Sequence, residues 1–204
     1  ETFLLAQKKL PSDSSIFCNT GIAYKQLGDL IKAREYFYKA LNFNPEHLPS
    51  HINLGHLENT LKHNEMAIKH YLDAYKINNN SEEVLIYYTL SLSSNGKFEE
   101  AKKIIKELNN KFPNNNKSYQ LFSKIHKYEI DDNHQQIMLD KIKDQSLNFE
   151  DTSNLYFALS KSYYDQKNIK KFVYYTRKAN EIKFKTFNDY NFEIEKIKFK
   201  QIRN

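Results

Sequence analysis

Glycine and proline are scarce, with four of each in 204 residues. A β-rich fold with many tight turns needs more of both, whereas helices joined by short turns need few. Cys18 is the sole cysteine. That excludes an intramolecular disulfide and a cysteine-ligated zinc cluster, and fits a reducing compartment, the cytoplasm being the expected one. Tryptophan is absent, so core aromatic volume must come from 15 tyrosines and 14 phenylalanines. No apolar run approaches the ~18 residues a membrane helix requires, and no membrane partner is expected. The chain starts at Glu1 without a methionine, so the lack of a visible leader is uninformative.

The formal net charge is +6. It is unevenly spread: residues 14–81 hold seven Lys/Arg against six Asp/Glu, and residues 166–204 hold eleven against four. A basic C-terminal end most simply describes solvated helix faces. Nucleic-acid binding through Lys167–Arg203 is the weaker alternative, because no aromatic-interleaved motif accompanies the charge.

What is present is a ladder with a period of 34 residues. Gly21 recurs as Gly55; Ala33 as Ala67 and Ala101; Ala40 as Ala74; Phe3 as Phe37 and Tyr71; Pro11 as Pro45, with Pro113 two periods later. Such a period marks stacked supersecondary units that cannot bury their apolar faces alone. Each unit reads as two amphipathic helices joined by a short turn, the clearest being Ser14–Pro45 with its turn at Leu27–Gly28–Asp29. Glycine and alanine let helix axes approach, aromatics fill the remaining space, and proline ends the second helix.

This pattern resembles the tetratricopeptide repeat. Residues 14–47 supply Phe17, Gly21, Tyr24, Gly28, Ala33, Phe37, Ala40 and Pro45, with Thr20 where leucine is usual. Residues 48–81 supply Leu54, Gly55, Ala67, Tyr71 and Ala74, with Glu58 for the tyrosine and Asn79 for the proline. Residues 82–115 supply Leu85, Leu92, Gly96, Ala101, Ile105 and Pro113. The resemblance implies an all-α fold, an α-solenoid of stacked antiparallel helix pairs wound into a right-handed superhelix. The expected organisation is the tail of a truncated repeat over 1–13, three repeats over 14–115, degenerate helix pairs over 116–190, and a C-terminal helix over 191–204 leading toward a further domain. Within the degenerate part, helices are expected over 118–128, 134–144, 151–164, 169–182 and 192–203, with Asp131 or Asp132 capping the second.

Residues 118–200 resemble something narrower: the segment that precedes the catalytic domain in bacterial fusions of tetratricopeptide repeats with a sulfotransferase. The matching elements are Ser123–Tyr128, Asp132–Met138, Leu155–Asp165, Lys171–Asn180 and Asn191–Lys200, with Ser160 and Ala179 where glycine is common. In such proteins a following domain binds 3′-phosphoadenosine 5′-phosphosulfate through a glycine- and arginine-containing loop. The four glycines here are Gly21, Gly28, Gly55 and Gly96, all accounted for by the repeat, so no cofactor and no transferase activity are expected of this chain itself.

Local chemistry is sparse. His51, His56, His63 and His70 are spaced five and seven apart, not the four apart that puts two imidazoles on one helix face; packing or surface roles are expected, with no metal. Cys18 has no evident base and orienting partner, and Asp131–Asp132 and Glu99–Glu100 read as helix N-terminal acids. No catalytic residue is assigned. The functional candidate is the concave face lined by first helices: Cys18, Asn19, Ile22, Lys25 and Gln26; then Ile52, Asn53, His56 and Asn59; then Ile86, Tyr87, Leu90 and Ser93. Of these, Asn19, Ile22, Lys25, Asn53, His56 and Tyr87 are the expected groove for a protein or peptide, or for an in-cis catalytic domain. Members that clamp a peptide carboxylate use lysine, arginine and asparagine. Only Asn53 matches such a place; Glu83 and Tyr87 occupy two cationic ones, which disfavours that mode.

Overall fold

The computed structural model describes residues 13–144 and 146–188. The expected helical tail before Asp13 and the helix over 192–203 lie outside the described residues. The chain forms two compact units, residues 1–112 and 113–204. Ten α-helices and no strand occur among the described residues.

The first unit holds α1 (Ser14–Gln26), α2 (Leu30–Phe43), α3 (Leu48–Thr60), α4 (Asn64–Ile77), α5 (Glu82–Ser94) and α6 (Phe98–Lys111). They pair as hairpins α1/α2, α3/α4 and α5/α6, with α2 also against α3 and α4 against α5. The turns are built alike. The amides of Asp29, His63 and Lys97 donate to the carbonyls of Tyr24, Glu58 and Leu92 at 3.0, 2.8 and 3.0 Å. That six-residue closure needs a left-handed residue just past each helix. Gly28 and Gly96 supply it with φ of 81° and 73°, and Lys62 occupies the same repeat place at 63°. Asp29 then accepts from the Lys32 amide, and Ser81 from that of Val84, capping α2 and α5.

The core follows the ladder. Ala33, Phe37, Ala40, Leu54, Ala67, Tyr71, Ala74, Leu85, Leu92 and Ala101 are all fully buried. A Cβ added at Gly21 would lie 2.6 Å from the Phe37 ring, and one at Gly55 2.6 Å from the Tyr71 ring. These two glycines are therefore required by close approach. In the third hairpin the same places hold Thr89 and Ile105, both buried. A larger residue on the first helix meets a smaller one on the second.

The second unit holds α7 (Lys117–Ile125), α8 (Asn133–Lys141), α9 (Phe149–Asp165) and α10 (Ile169–Asn188), with α9 packed on α10, α7 and α8. Hairpin α9/α10 repeats the turn: the Asn168 amide donates to the Tyr163 carbonyl at 2.9 Å, and Lys167 is left-handed at φ 59°. Ala179 is fully buried at the place of Ala40. The buried Ser160 and the partly buried Thr176, spaced like Gly21 and Phe37, share a hydrogen bond of 2.6 Å.

Three sequence-based boundaries are corrected here. The first helix of this unit stops at Ile125, not Tyr128, because polar groups capture the following backbone and side chains. The Tyr128 amide donates to Asp165 Oδ2 (3.1 Å), His126 Nε2 bonds Asp132 Oδ2 (2.7 Å), and Gln166 Nε2 donates to the Glu129 carbonyl (2.6 Å). The next helix ends at Lys141 rather than Asp144; Asp132 caps it by accepting from the amides of His134 and Gln135. The last described helix continues to Asn188 instead of ending at Ile182.

Candidate partner-binding face of the repeats

The candidate face is built from side chains on the first helix of each hairpin in the first unit, α1, α3 and α5. Each α-helix brings residues three and four apart onto one face, so Asn19, Ile22 and Lys25 with Gln26 share a face of α1. Asn53 and His56 share one on α3, and Tyr87 stands on α5. Asn19 is exposed; Ile22, Lys25, Asn53, His56 and Tyr87 are half-buried.

Two contacts join these residues across repeats. Lys25 Nζ donates to Asn53 Oδ1 at 3.0 Å, while Asn53 Nδ2 donates to the Pro49 carbonyl at 2.9 Å. His56 meets the Tyr87 ring edge-on with centroids 4.2 Å apart, and its Nδ1 lies 3.0 Å from the Tyr71 hydroxyl. Burial, reinforced by the Lys25 charge, holds His56 below its usual pKa, so its ring is neutral at pH 7. Burial also pushes the Tyr71 phenol up, which keeps it a neutral hydroxyl. The face therefore offers one ammonium at Lys25, an amide at Asn53 and an aromatic pair at His56–Tyr87, with apolar Ile22 between. No hydrogen bond joins Asn19 to the other five.

Cys18, expected toward the groove, is instead only 2% exposed and belongs to the core cluster with Phe17, Phe37 and Leu54. Burial raises its thiol pKa, against a smaller opposing bond from Ser50. A thiol held protonated in a core lacks the thiolate a nucleophile needs. The four glycines of the chain lie either against buried rings or in helix-joining turns.

One buried charge group was not foreseen. Glu58 is fully buried where the repeat usually has tyrosine, and its Oε2 pairs with Arg34 Nη2 at 2.7 Å and His63 Nδ1 at 2.8 Å. The available signal was Glu58 itself: an acid at a core place demands a partner, and Arg34 precedes it by one hairpin. The trio ties α2, α3 and the turn before α4 together; the Glu58 carboxylate is closed to solvent, whereas Arg34 and His63 are partly exposed, with side-chain exposures of 33% and 49%.

The comparisons with known proteins agree with this geometry. The tetratricopeptide repeat family pattern matches residues 14–47 and 48–81; these two stretches are tetratricopeptide repeats. The third hairpin, α5/α6, lies beyond the matched residues but closes its turn by the same bond. The fold is similar to that of YrrB, described as a TPR protein with an unusual peptide-binding site, over 89% of this chain and 92% of that one (TM-score 0.63, 13% identity). It is also similar to the first TPR of Spaghetti (RPAP3) bound to the HSP90 peptide SRMEEVD, over 55% of this chain and 92% of that one (TM-score 0.51, 20% identity). These likenesses establish the fold class, an all-α tetratricopeptide-repeat solenoid. In sequence, a 70-residue stretch is 33% identical to the Sol locus transcriptional repressor of Clostridium acetobutylicum. That stretch is 34% of this chain and spans only 22% of the repressor. Among the described residues no helix is long and apolar enough to cross a membrane.

Proposed function

We propose that this chain is a non-catalytic protein-interaction module whose α1/α3/α5 face binds an extended segment of a protein partner in the cytoplasm. The observation that carries the reading is the pairing of Lys25 with Asn53 and of His56 with Tyr87 across successive first helices. It makes one continuous strip of ammonium, amide and aromatic groups from three separate repeats. A peptide backbone takes hydrogen bonds from such amides, and an aromatic pair supplies apolar area at low entropic cost. YrrB and the Spaghetti repeat, by their descriptions, are peptide-binding proteins of the same fold, which supports the class of ligand. The Spaghetti peptide ends in an acidic carboxylate, whereas Glu83 and Tyr87 stand here where a carboxylate clamp would have cations. The favoured ligand is thus an internal segment with an acidic or carbonyl-rich stretch beside Lys25 and an apolar side chain beside Tyr87.

The test is selection of a random peptide library on the full chain, followed by affinity measurement on single variants. Tyr87→Ala and Lys25→Ala should each weaken the selected peptides about 5–30-fold, the range of an interface hot spot. Asn19→Ala and Asn53→Ala should weaken them less. Unchanged capture by all four variants rules the face out.

A second reading extends the first. We infer from the sequence resemblance over 118–200, a range that falls within the second unit, that the chain serves as the repeat portion of a sulfotransferase-like protein, its partner being a catalytic domain in cis. 3′-Phosphoadenosine 5′-phosphosulfate would belong to that domain. The coding sequence beyond Asn204 decides the matter: a strand followed by a glycine–arginine loop supports it, and an immediate stop removes it. Binding of nucleic acid through the basic end is the weakest reading. A duplex affinity that does not fall steeply with salt would discard it.

A further inference from the structure

The fold brings together two histidines that lie nineteen residues apart in sequence. His51, in the first turn of α3, and His70, in the middle of α4, are both buried. Their Nδ1 atoms face each other at 3.4 Å. Asp73 follows His70 by one helical turn, on the same side of α4, and its carboxylate is half-exposed with only a long 3.8 Å pairing to Lys76. One ligand atom from each of the three lies within 4.8 Å of the others.

The outward nitrogens are occupied in a telling way. His51 Nε2 donates to the Pro45 carbonyl at 2.9 Å, and in the tautomer that carries its only proton there Nδ1 is a lone pair. His70 Nε2 lies 3.2 Å from the Tyr38 hydroxyl. When His70 donates Nε2–H to that oxygen, its Nδ1 is a second lone pair aimed at the first. Two facing lone pairs at this distance repel unless a proton or a cation lies between them. Oxygen acceptors on the far nitrogens are the arrangement that orients metal-binding imidazoles. Two metal–nitrogen bonds of about 2.0–2.1 Å meeting near the tetrahedral angle place their nitrogens about 3.4 Å apart.

We propose that His51, His70 and Asp73 bind a first-row divalent cation of the zinc class, linking α3 to α4 within the second repeat. Imidazole nitrogens select such ions over magnesium or calcium. Two imidazoles and one carboxylate leave a fourth position for water. Asp73 reaches the ion by leaving Lys76, a side-chain movement that its exposure permits. The site does not depend on the peptide-binding reading, since none of its three ligands belongs to that face.

The test uses the full chain without a histidine tag, stripped with chelator and titrated with Zn2+ against a chromophoric competitor. Co2+ absorption provides the geometry. One equivalent should bind, Co2+ should give the intense visible bands of a four-coordinate site, and Zn2+ should raise the melting temperature by linkage. His70→Gln should lower affinity at least about 100-fold, and Tyr38→Phe, which touches only the outer shell, about 10-fold. His70→Gln alters a buried residue, so Asp73→Asn, on a half-exposed side chain, provides the variant that keeps the fold. It should lower affinity at least about 10-fold and shrink the melting shift at equal Zn2+ accordingly. His63→Gln, outside the site, should bind as the parent does. No binding by the parent chain, or equal binding by the Asp73→Asn and parent chains, overturns the site and leaves a His70 Nδ1–H to His51 Nδ1 hydrogen bond in its place.

Discussion

In hairpin α1/α2 Gly21 lies beneath the ring of Phe37; in hairpin α9/α10, at the same separation, Ser160 and Thr176 share a hydrogen bond. The backbone turn is the same in both, down to the left-handed residue at Gly28 or Lys167. The side chains that set the helix spacing differ. The first hairpin fills the gap with an aromatic ring against a missing Cβ, a dry contact with no polar atom to satisfy. The other fills it with two hydroxyls, and further polar pairs border the second unit's apolar core of Met138, Leu155, Ala158 and Leu159. Gln135 donates to Ser162, Asp165 holds the Tyr128 amide and pairs with Lys161, and the Tyr128 hydroxyl meets His134. Polar pairs fix geometry as well as apolar ones do, but only while every partner keeps its protonation state and place.

Acid should expose that dependence most strongly. His134 is packed between Phe122 and Tyr119, and burial, outweighing the nearby Asp132 charge, lowers its pKa to about 4. The unfolded chain, with histidine near 6.5, binds the proton that the folded chain refuses. Stability from this group is therefore complete above pH 6.5 and lost as pH falls from 6.5 toward 4, by about 3 kcal/mol in full. Because His70 in the first unit is shifted the same way, the discriminating quantity is the difference between parent and His134→Gln. That difference in denaturant midpoints should shrink steadily over this window. A constant difference would mean that His134 is no more than a space-filler.

Next in size is the packing contrast itself. Gly21→Ala should cost about 1–3 kcal/mol, because the new methyl meets a fully buried ring, even though alanine is the better helix former by ~1 kcal/mol. Ser160→Ala should cost only about 0.5–1.5 kcal/mol, since Thr176 Oγ1 still donates to the Phe172 carbonyl at 2.8 Å. Equal costs in thermal or urea unfolding would erase the distinction between the two hairpins.

The smallest effect is a gain. Lys62 holds the left-handed place that Gly28 and Gly96 fill in the flanking repeats. Lys62→Gly should stabilise the first unit by about 1 kcal/mol. Loss of stability would show that the lysine side chain makes a compensating contact at that turn.

Most of the first unit was legible in the sequence because its packing is recorded as residue size at fixed spacing. A glycine sixteen residues before an aromatic, with alanines seven apart on the second helix, describes two helices drawn close around one ring. Asp132 as a cap was legible for the same local reason. The end of α7 was not, since it depends on Asp165, Asp132 and Gln166, which arrive from other elements and leave no periodic trace. The same holds for the sites. Asn53, His56 and Tyr87 could be placed on one face by counting. The core position of Cys18 and the meeting of His51 with His70 depend on where neighbouring helices lie, which spacing along one helix does not encode.

The direct test of the binding face is hydrogen–deuterium exchange on the full chain with and without a library-selected peptide. Protection is expected in α1, α3 and α5, centred on the turns bearing Lys25, Asn53 and Tyr87, with little change in α2, α4 and α6. Protection confined to the second helices, or to α7–α10, would contradict it.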